Sequence, residues 1–308
     1  MRRPGKSKAR RLPVTERFNP FSTDLDLRSS YEIAKIINAE DAKVAPAVRR
    51  ALPQIARAID VIAGALQQGG RLIYVGAGTS GRIAALDAAE IPPTFDAGPR
   101  TVQFVMAGGA RALGTAVEAN EDSRELGRRE IAKRRPGNQD VVVGLAASGR
   151  TPFTVSAIQY AKSKGAKTIA ITCNPDSPLE KAADLTIVAE VGPEVISGST
   201  RMKAGTAQKM VLNMLSSGAM AKLGYVYGNL MVSAHRKNRK LAERGIRMLQ
   251  RASGVSRESA ERALKAAGNH VPTALVMLAA QVSRGKAERA LNSEQGNTRK
   301  ALEKLDQQ

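Results

Sequence analysis

Two short runs hold most of the chemistry open to this chain. The first is Gly76-Ala77-Gly78-Thr79-Ser80-Gly81-Arg82, set between the apolar run Leu72-Ile73-Tyr74-Val75 and a helical pattern that begins at Ile83. Small residues let backbone N–H groups approach an anion, and a helix start points those groups at it. Thr79 and Ser80 add hydroxyl donors where a helix takes its cap. The second run, Ala147-Ser148-Gly149-Arg150-Thr151-Pro152, directly follows the apolar stretch 141–146. Pro152 suits the first turn of a following helix. Ser148 and Thr151 offer hydroxyls there, and Gly149 a small residue with an accessible N–H. One such turn is an ordinary strand-to-helix link. Two of them, both at strand carboxyl ends of one sheet, point to a pocket for a phosphosugar.

The spacing Gly76, Gly78, Gly81 also fits a dinucleotide fingerprint, G-x-G-x-x-G. That reading needs an acidic residue at the end of the next strand to hold a ribose. The next apolar run, Val102-Gln103-Phe104-Val105-Met106-Ala107-Gly108-Gly109, offers none. Hydroxyl-rich turns suit a phosphate monoester better than a pyrophosphate.

Acid–base chemistry requires carboxyls near that pocket, and Glu90 and Glu121 are the candidates. Pro92 and Pro93 follow Glu90, which places it near the end of the helix that starts at the first turn. The negative end of the helix dipole opposes ionisation there, as burial would, so the carboxyl could stay protonated and act as an acid. Glu118 and Glu121 are three residues apart and fall on one surface if the segment is helical. With Asp122 they would raise one another's pKa, which suits a base. Spacing alone fits solvent-facing glutamates equally well. Metal and nucleophile readings are poor: His235 and His270 stand in separate contexts, and no nucleophile elbow is present. Cys173, the single cysteine, ends a strand-like run and reads as packed; it offers no intrachain disulfide and fits a reducing cytoplasm.

The elements that must position these groups follow from periodicity. Apolar runs at 72–75, 102–107, 141–146, 168–172 and 185–188 alternate with helical patterns, the signature of a parallel sheet covered on both faces. In such sheets ligands bind at the strand carboxyl ends. Before the sheet, a helix is expected from Ser30, with Ile33, Ile36 and Ile37 on one face, and a second over 44–68, stopped by Gly69-Gly70. After it, a helix over 202–223 is expected to break at Ser216-Ser217-Gly218. Short alanine-rich helices from about Arg239 suggest a small C-terminal bundle. The expected division is a disordered basic arm over 1–14, an α/β domain with N-terminal helices over 15–235, and the helical bundle over 236–308.

Of the 308 residues 43% are apolar, enough for a substantial core, and no uncharged apolar run is long enough to span a membrane. The basic N-terminus is not followed by the apolar stretch of a secretory signal. The formal net charge of +20 raises the question of nucleic acid. Aromatic residues are only 3% and tryptophan is absent, so stacking platforms are scarce. The charge reads instead as a basic arm and solvated helix faces that help to attract anionic substrates.

Taken together, the motifs resemble the N-acetylmuramic acid 6-phosphate etherases of the sugar isomerase (SIS) domain superfamily. The matching stretches are Gly76-Ala77-Gly78-Thr79-Ser80-Gly81-Arg82, Glu90-Ile91-Pro92-Pro93-Thr94-Phe95, Val117-Glu118-Ala119-Asn120-Glu121-Asp122 and Gly144-Leu145-Ala146-Ala147-Ser148-Gly149-Arg150-Thr151-Pro152. Cys173-Asn174-Pro175, the run Gly198-Ser199-Thr200-Arg201-Met202-Lys203-Ala204-Gly205-Thr206-Ala207-Gln208-Lys209, and the early Thr15-Glu16 and Asn19 match as well. Two places depart: Ser233 stands where the family usually has Asp, and Ser293-Glu294-Gln295-Gly296-Asn297-Thr298-Arg299 where it tends to show a His-Gly-Gly turn.

The resemblance implies an SIS-type doubly wound, five-stranded parallel sheet with a small, three-helix, ubiquitin-associated-like bundle at the C-terminus. It implies a cytoplasmic lyase of cell-wall sugar recycling that removes D-lactate from C3 of N-acetylmuramic acid 6-phosphate. Elimination followed by hydration would leave N-acetylglucosamine 6-phosphate. It implies no metal or organic cofactor, because the C1 aldehyde of the opened ring stabilises the carbanion. By motif position Glu90 carries over as the acid on the lactyl oxygen and Glu121 as the second acid/base. Gly78, Thr79, Ser80, Ser148, Gly149, Thr151, Ser199 and Lys203 are the expected phosphate and sugar ligands. The implied partners are the phosphosugar and a second copy of the chain, with no membrane and no nucleic acid. Glu90 lies ten residues beyond Ser80, about 15 Å of helix, so an active site at a dimer interface is expected, with Glu90 donated across it. The alternative is a non-catalytic sugar-phosphate-binding regulator of a sugar kinase, since such regulators share the architecture; the presence of both glutamates favours the enzyme.

Overall fold

A computed structural model describes residues 12–115, 120–232 and 239–307. The basic arm 1–11, Glu118, Ser233 and the basic block 235–238 lie outside the described residues. Among the described residues three α-helices precede the sheet: α1 (Ser30–Asp41), α2 (Val44–Arg50) and α3 (Leu52–Gln67). Then come β1 (Leu72–Gly76), α4 (Gly78–Phe95), β2 (Val102–Met106), α5 (Arg124–Ala132), β3 (Val141–Leu145), α6 (Pro152–Ser163), β4 (Lys167–Thr172), α7 (Pro178–Ala182) and β5 (Leu185–Val188). The rest is helical: α8 (Lys203–Lys222), α9 (Arg239–Ser253), α10 (Arg257–Ala266), α11 (Val271–Ala279), α12 (Arg284–Ser293) and α13 (Thr298–Asp306).

Each strand lies within a residue of its apolar run. β1 and β3 are buried throughout, and β4 everywhere except Lys167, as strands covered on both faces must be. The sheet order is β2-β1-β3-β4-β5, with β3, β4 and β5 parallel. The order turns about between β1 and β3, and a crevice forms outside the strand carboxyl ends at such a point. Both hydroxyl-rich turns leave from these two strands.

The described residues group into two compact units. The first draws on Met1–Ala56, Ile73–Ala84 and Phe104–Leu212, the second on Arg57–Leu72, Ala85–Gln103 and Asn213–Gln308. The first holds nearly all of the sheet and a core of Ile73, Val75, Val142, Phe153 and Ile158, each fully buried. In the second, Leu249, Ala260, Leu275 and their neighbours form one C-terminal cluster, and Val276, Ala287, Ala301 and theirs another. Ser256, Ser283 and Asn297 cap α10, α12 and α13 through their side chains.

Several local expectations give way to tertiary structure. The helix expected over 44–68 is two helices: Ala51 leaves the helical region, and Pro53 in the first turn of α3 cannot donate back to the preceding turn. The helix expected to break at Ser216-Ser217-Gly218 runs on as α8. Ser216 is buried with its Oγ 3.2 Å from the Asp87 carboxylate, and a Cβ at Gly218 would come within 2.7 Å of Ile59. The small residues there serve close packing. α4 continues to Phe95 with Pro92 and Pro93 inside it, so Glu90 is not at a helix end. Among the described residues the C-terminal part carries five helices, α9 to α13, where the resemblance implied three. Val14, assigned to the arm, is buried in a 3-10 turn. Among the described residues no helix is long and apolar enough to cross a membrane.

Candidate active site

The first turn is shaped by what glycine permits. Gly78 opens α4 at φ 52°, and a Cβ there would meet Glu121 Oε1 at 2.8 Å. Only a residue without a side chain lets that carboxylate approach the helix start. Ser80 is buried and donates its hydroxyl to Gln208 Oε1 of α8 at 2.9 Å. Thr79 is half-buried beside it.

The second turn is locked more tightly. The Ala147 carbonyl accepts from the Cys173 N–H at 3.0 Å and from Asn174 Nδ2 at 3.1 Å. Gly149 adopts φ 65°, and a Cβ on it would lie 2.3 Å from Ser177 Oγ. Its N–H is not available to a ligand, contrary to expectation, because it donates to Ala146 O at 2.9 Å. Ser148 Oγ accepts from the Arg150 N–H at 3.2 Å. Thr151 precedes α6 without spending its hydroxyl on a capping bond.

Glu121 is not on a helix. Ser123 caps α5 by accepting from the Leu126 N–H, and Glu121 sits in the loop just before that cap. Its carbonyl accepts from the Phe153 N–H at 3.0 Å, which ties this loop to the start of α6. Glu118, expected beside it, lies outside the described residues.

These segments enclose a cavity of about 590 Å³ within the first unit, a size suited to a small polar ligand. Gly78, Thr79, Ser80, Ser148, Thr151 and Glu121 line it, so six of the ten expected site residues come together. The first turn of α4 faces it through Gly78, Thr79 and Ser80, where a helix start leaves N–H groups without a partner within the helix. The start of α6 does not add to these, because Pro152 has no N–H and the Phe153 N–H is spent on Glu121 O.

Four expected residues do not line it. Gly149 is behind the turn. Ser199 is half-buried in the loop before α8 and contributes no lining atom, although Gly198 and Thr200 do. Glu90 is exposed on α4. Lys203 is 1% exposed, with its ammonium on the Glu40 carboxylate. Burial alone would push the Glu40 carboxyl up, but Lys203 and Lys43 together hold it below the ordinary glutamate range. The start of α8 is held by a second buried acid, Glu194, which accepts from the Lys203 N–H at 3.1 Å and the Ala204 N–H at 2.9 Å. Burial outweighs those bonds and raises its pKa. Lys203 thus belongs to the framework beneath the cavity rather than to its wall.

Asp122, expected beside Glu121, lines the cavity too, and so do Glu16, Arg82 and Thr200, which sequence reasoning did not single out. The signal for Glu16 is the Thr15-Glu16 match. Asn174 bonds Thr15 twice, accepting from its N–H and donating to its hydroxyl at 2.9 Å. Asn19 donates to Pro193 O and Ser22 to Val195 O, so this N-terminal segment is stitched along the loop before α8. That stitching delivers Glu16 to the cavity. Arg82 follows Ser80 by two residues, on the helix face it shares with Thr79.

Among the described residues no cluster of His, Cys, Asp and Glu could hold a metal ion. Cys173 is buried, and burial pushes its thiol up to about 12, with the nearby Glu194 adding to the shift. His270 caps α11 through Nδ1.

Residues 135–217 match the SIS domain family, and residues 54–162 the family described as the glucokinase regulatory protein N-terminal SIS domain. The chain is 57% identical to an N-acetylmuramic acid 6-phosphate etherase of Symbiobacterium thermophilum, over 87% of this chain and 89% of that one. It is 49% identical to N-acetylmuramic acid 6-phosphate etherase 1 of Bacillus licheniformis, over 94% and 95%. Among solved structures, a phosphoheptose isomerase from Neisseria gonorrhoeae is similar at 16% identity and a TM-score of 0.49, covering 62% of this chain and 98% of that one.

Proposed function

The chain belongs to the N-acetylmuramic acid 6-phosphate etherase family, and from that premise we propose that its cavity binds N-acetylmuramic acid 6-phosphate and releases D-lactate from C3. The observation that carries this reading is the meeting of the two hydroxyl-rich turns and Glu121 in one cavity. The 6-phosphate sits at the start of α4 between Ser148, Thr151 and Ser80, whose hydroxyl turns from Gln208 to donate to it. Ring opening exposes a C1 aldehyde, which acidifies the C2 proton. Glu121 serves as acid/base at the sugar. Lactate leaves from C3 as its ether oxygen is protonated, and water adds to the unsaturated aldehyde at C3. The reaction is therefore a carbon–oxygen lyase step followed by hydration, in a cytoplasmic enzyme of cell-wall sugar recycling.

Glu90 is the acid on the lactyl oxygen, and it comes from a second copy of the chain. Its exposed position, absent from the lining of its own cavity, supports this, as does its place ten residues beyond Ser80 along α4. Phe18, Phe21, Leu27 and Tyr31, 68–81% exposed, supply apolar surface for an association. The chain divides into an α/β domain over 15–235 and a helical bundle over 236–308. The match to the regulatory-protein family is confined to 54–162, whereas the etherase relatives align over nearly the whole chain, so the non-catalytic reading is not preferred.

The deciding assay incubates purified protein with N-acetylmuramic acid 6-phosphate and measures D-lactate. In H₂¹⁸O, hydration places the label at C3 of the amino sugar and none in lactate. Label in lactate would reject elimination. Mixing Glu90→Gln protein with Ser80→Ala,Ser148→Ala protein should restore activity, because one pocket of each heterodimer regains both functions. Subunit exchange without recovery would reject donation of Glu90.

A further inference from the structure

The substrate proposed for this cavity carries two anionic groups, the 6-phosphate and the carboxylate of the C3 lactyl substituent. The hydroxyls of the two turns and the start of α4 suit the phosphate and use no charged side chain. The second anion has yet to be received. The cavity wall is otherwise acidic, with Glu16, Glu121 and Asp122 on it. A carboxylate brought in without a counter-ion would be repelled. Arg82 is the one lysine or arginine among the described residues that line the cavity.

Its guanidinium is held in a particular way. Nε donates to Leu113 O at 3.2 Å and Nη2 to Thr115 O at 3.4 Å. Both bonds use the same side edge of the planar group. Among the described residues nothing bonds the outer edge, made by Nη1 and the second Nη2 hydrogen, which is the edge open to a ligand. Two parallel N–H donors on one edge match the two oxygens of a carboxylate. Backbone carbonyls orient the fork without neutralising its charge.

Resting on that reading of the site, we propose that Arg82 receives the lactyl carboxylate through its outer edge. It thereby selects sugar phosphates carrying a 3-O-lactyl group over those with a free C3 hydroxyl.

The test compares the wild-type chain with Arg82→Met and Arg82→Lys. Three quantities are measured: KM for N-acetylmuramic acid 6-phosphate by D-lactate release, KM for the same substrate with its lactyl carboxylate converted to the amide, and the inhibition constant of N-acetylglucosamine 6-phosphate. Arg82→Met should raise the first by about 10- to 100-fold, as loss of a charge-assisted bidentate contact does. It should leave the second within about threefold of the wild-type value and the third likewise, because neither ligand carries the carboxylate. Arg82→Lys, which keeps the charge but not the fork, should fall between. Parallel losses for all three ligands would overturn the proposal, since they would mean that Arg82 binds phosphate or only props the 113–115 loop. An unchanged first KM in Arg82→Met would overturn it too. Wild-type protein that releases no D-lactate would instead reject the reading of the site on which the proposal rests.

Discussion

Replacing Lys203 separates a wall residue from a framework residue. Its ammonium is 1% exposed and rests on Glu40, itself 5% exposed at the side chain. Removing one member of a buried pair costs about 3–5 kcal/mol, because a charge is left without its partner. Lys203→Met leaves Glu40 with Lys43 alone, whose side chain is 52% exposed and so screened by solvent. The expected loss is therefore about 2–4 kcal/mol. Glu40→Gln strands the buried ammonium and should cost about 3–5 kcal/mol. The double variant Glu40→Met,Lys203→Met removes both charges and should return to within about 1 kcal/mol of wild type. Urea unfolding of the four proteins gives the coupling energy, and D-lactate release gives KM. Glu40 also sets a pH dependence. Its folded pKa lies below the unfolded value of about 4.3, so the stabilisation is present above that pH and is lost as pH falls through the folded value. The double variant should lack that acid limb. If Lys203→Met kept wild-type stability while KM rose tenfold, Lys203 would be a substrate ligand and the reasoning would be refuted.

Further outcomes follow from the same geometry. Ser80→Ala,Ser148→Ala should weaken phosphosugar binding by about 1–3 kcal/mol per hydroxyl lost to a charged partner, measured by calorimetry; unchanged affinity would remove both from the phosphate site. Gly149→Ala should destabilise by about 2–5 kcal/mol, from the strain of a positive φ and overlap with Ser177, and a wild-type denaturation midpoint would contradict the shape of that turn. Cys173 should resist iodoacetamide at neutral pH in the folded protein and react once the chain is unfolded in urea; labelling of the native state would contradict its burial and its raised pKa.

The sheet was legible because strand signals are local. Runs such as Val141-Val142-Val143 are apolar on both faces and end in turn residues, and no tertiary contact overrides them. The helices were less legible where a local rule met a tertiary one. Proline reads as a helix end, yet α4 passes through Pro92 and Pro93. Serine and glycine read as a break, yet Ser216 bonds Asp87 and Gly218 admits Ile59. In each case packing supplies what local propensity withholds. Pro53 shows the reverse, a local signal passed over in a pattern of apolar residues that looked continuous.

The site divides along the same line. The hydroxyl turns could be read because each is one strand end and one helix start. Glu16 and Thr200 could not, since Asn174 and the loop before α8 bring them in from far along the chain. Lys203 misled because its position in a matching run says nothing of which way it points. Its actual partner, Glu40, is 163 residues away. Charge shows why composition could not locate the site either. The whole chain carries +20, yet among the described residues the cavity lining has three carboxylates and one arginine. An elimination that needs carboxyl groups to move protons cannot also crowd its pocket with cations that would hold those carboxyls ionised. The long-range field can draw in an anion while neutral donors and one oriented guanidinium recognise it. Attraction and recognition are thus carried by different residues, and only the recognising ones bear on what the cavity does.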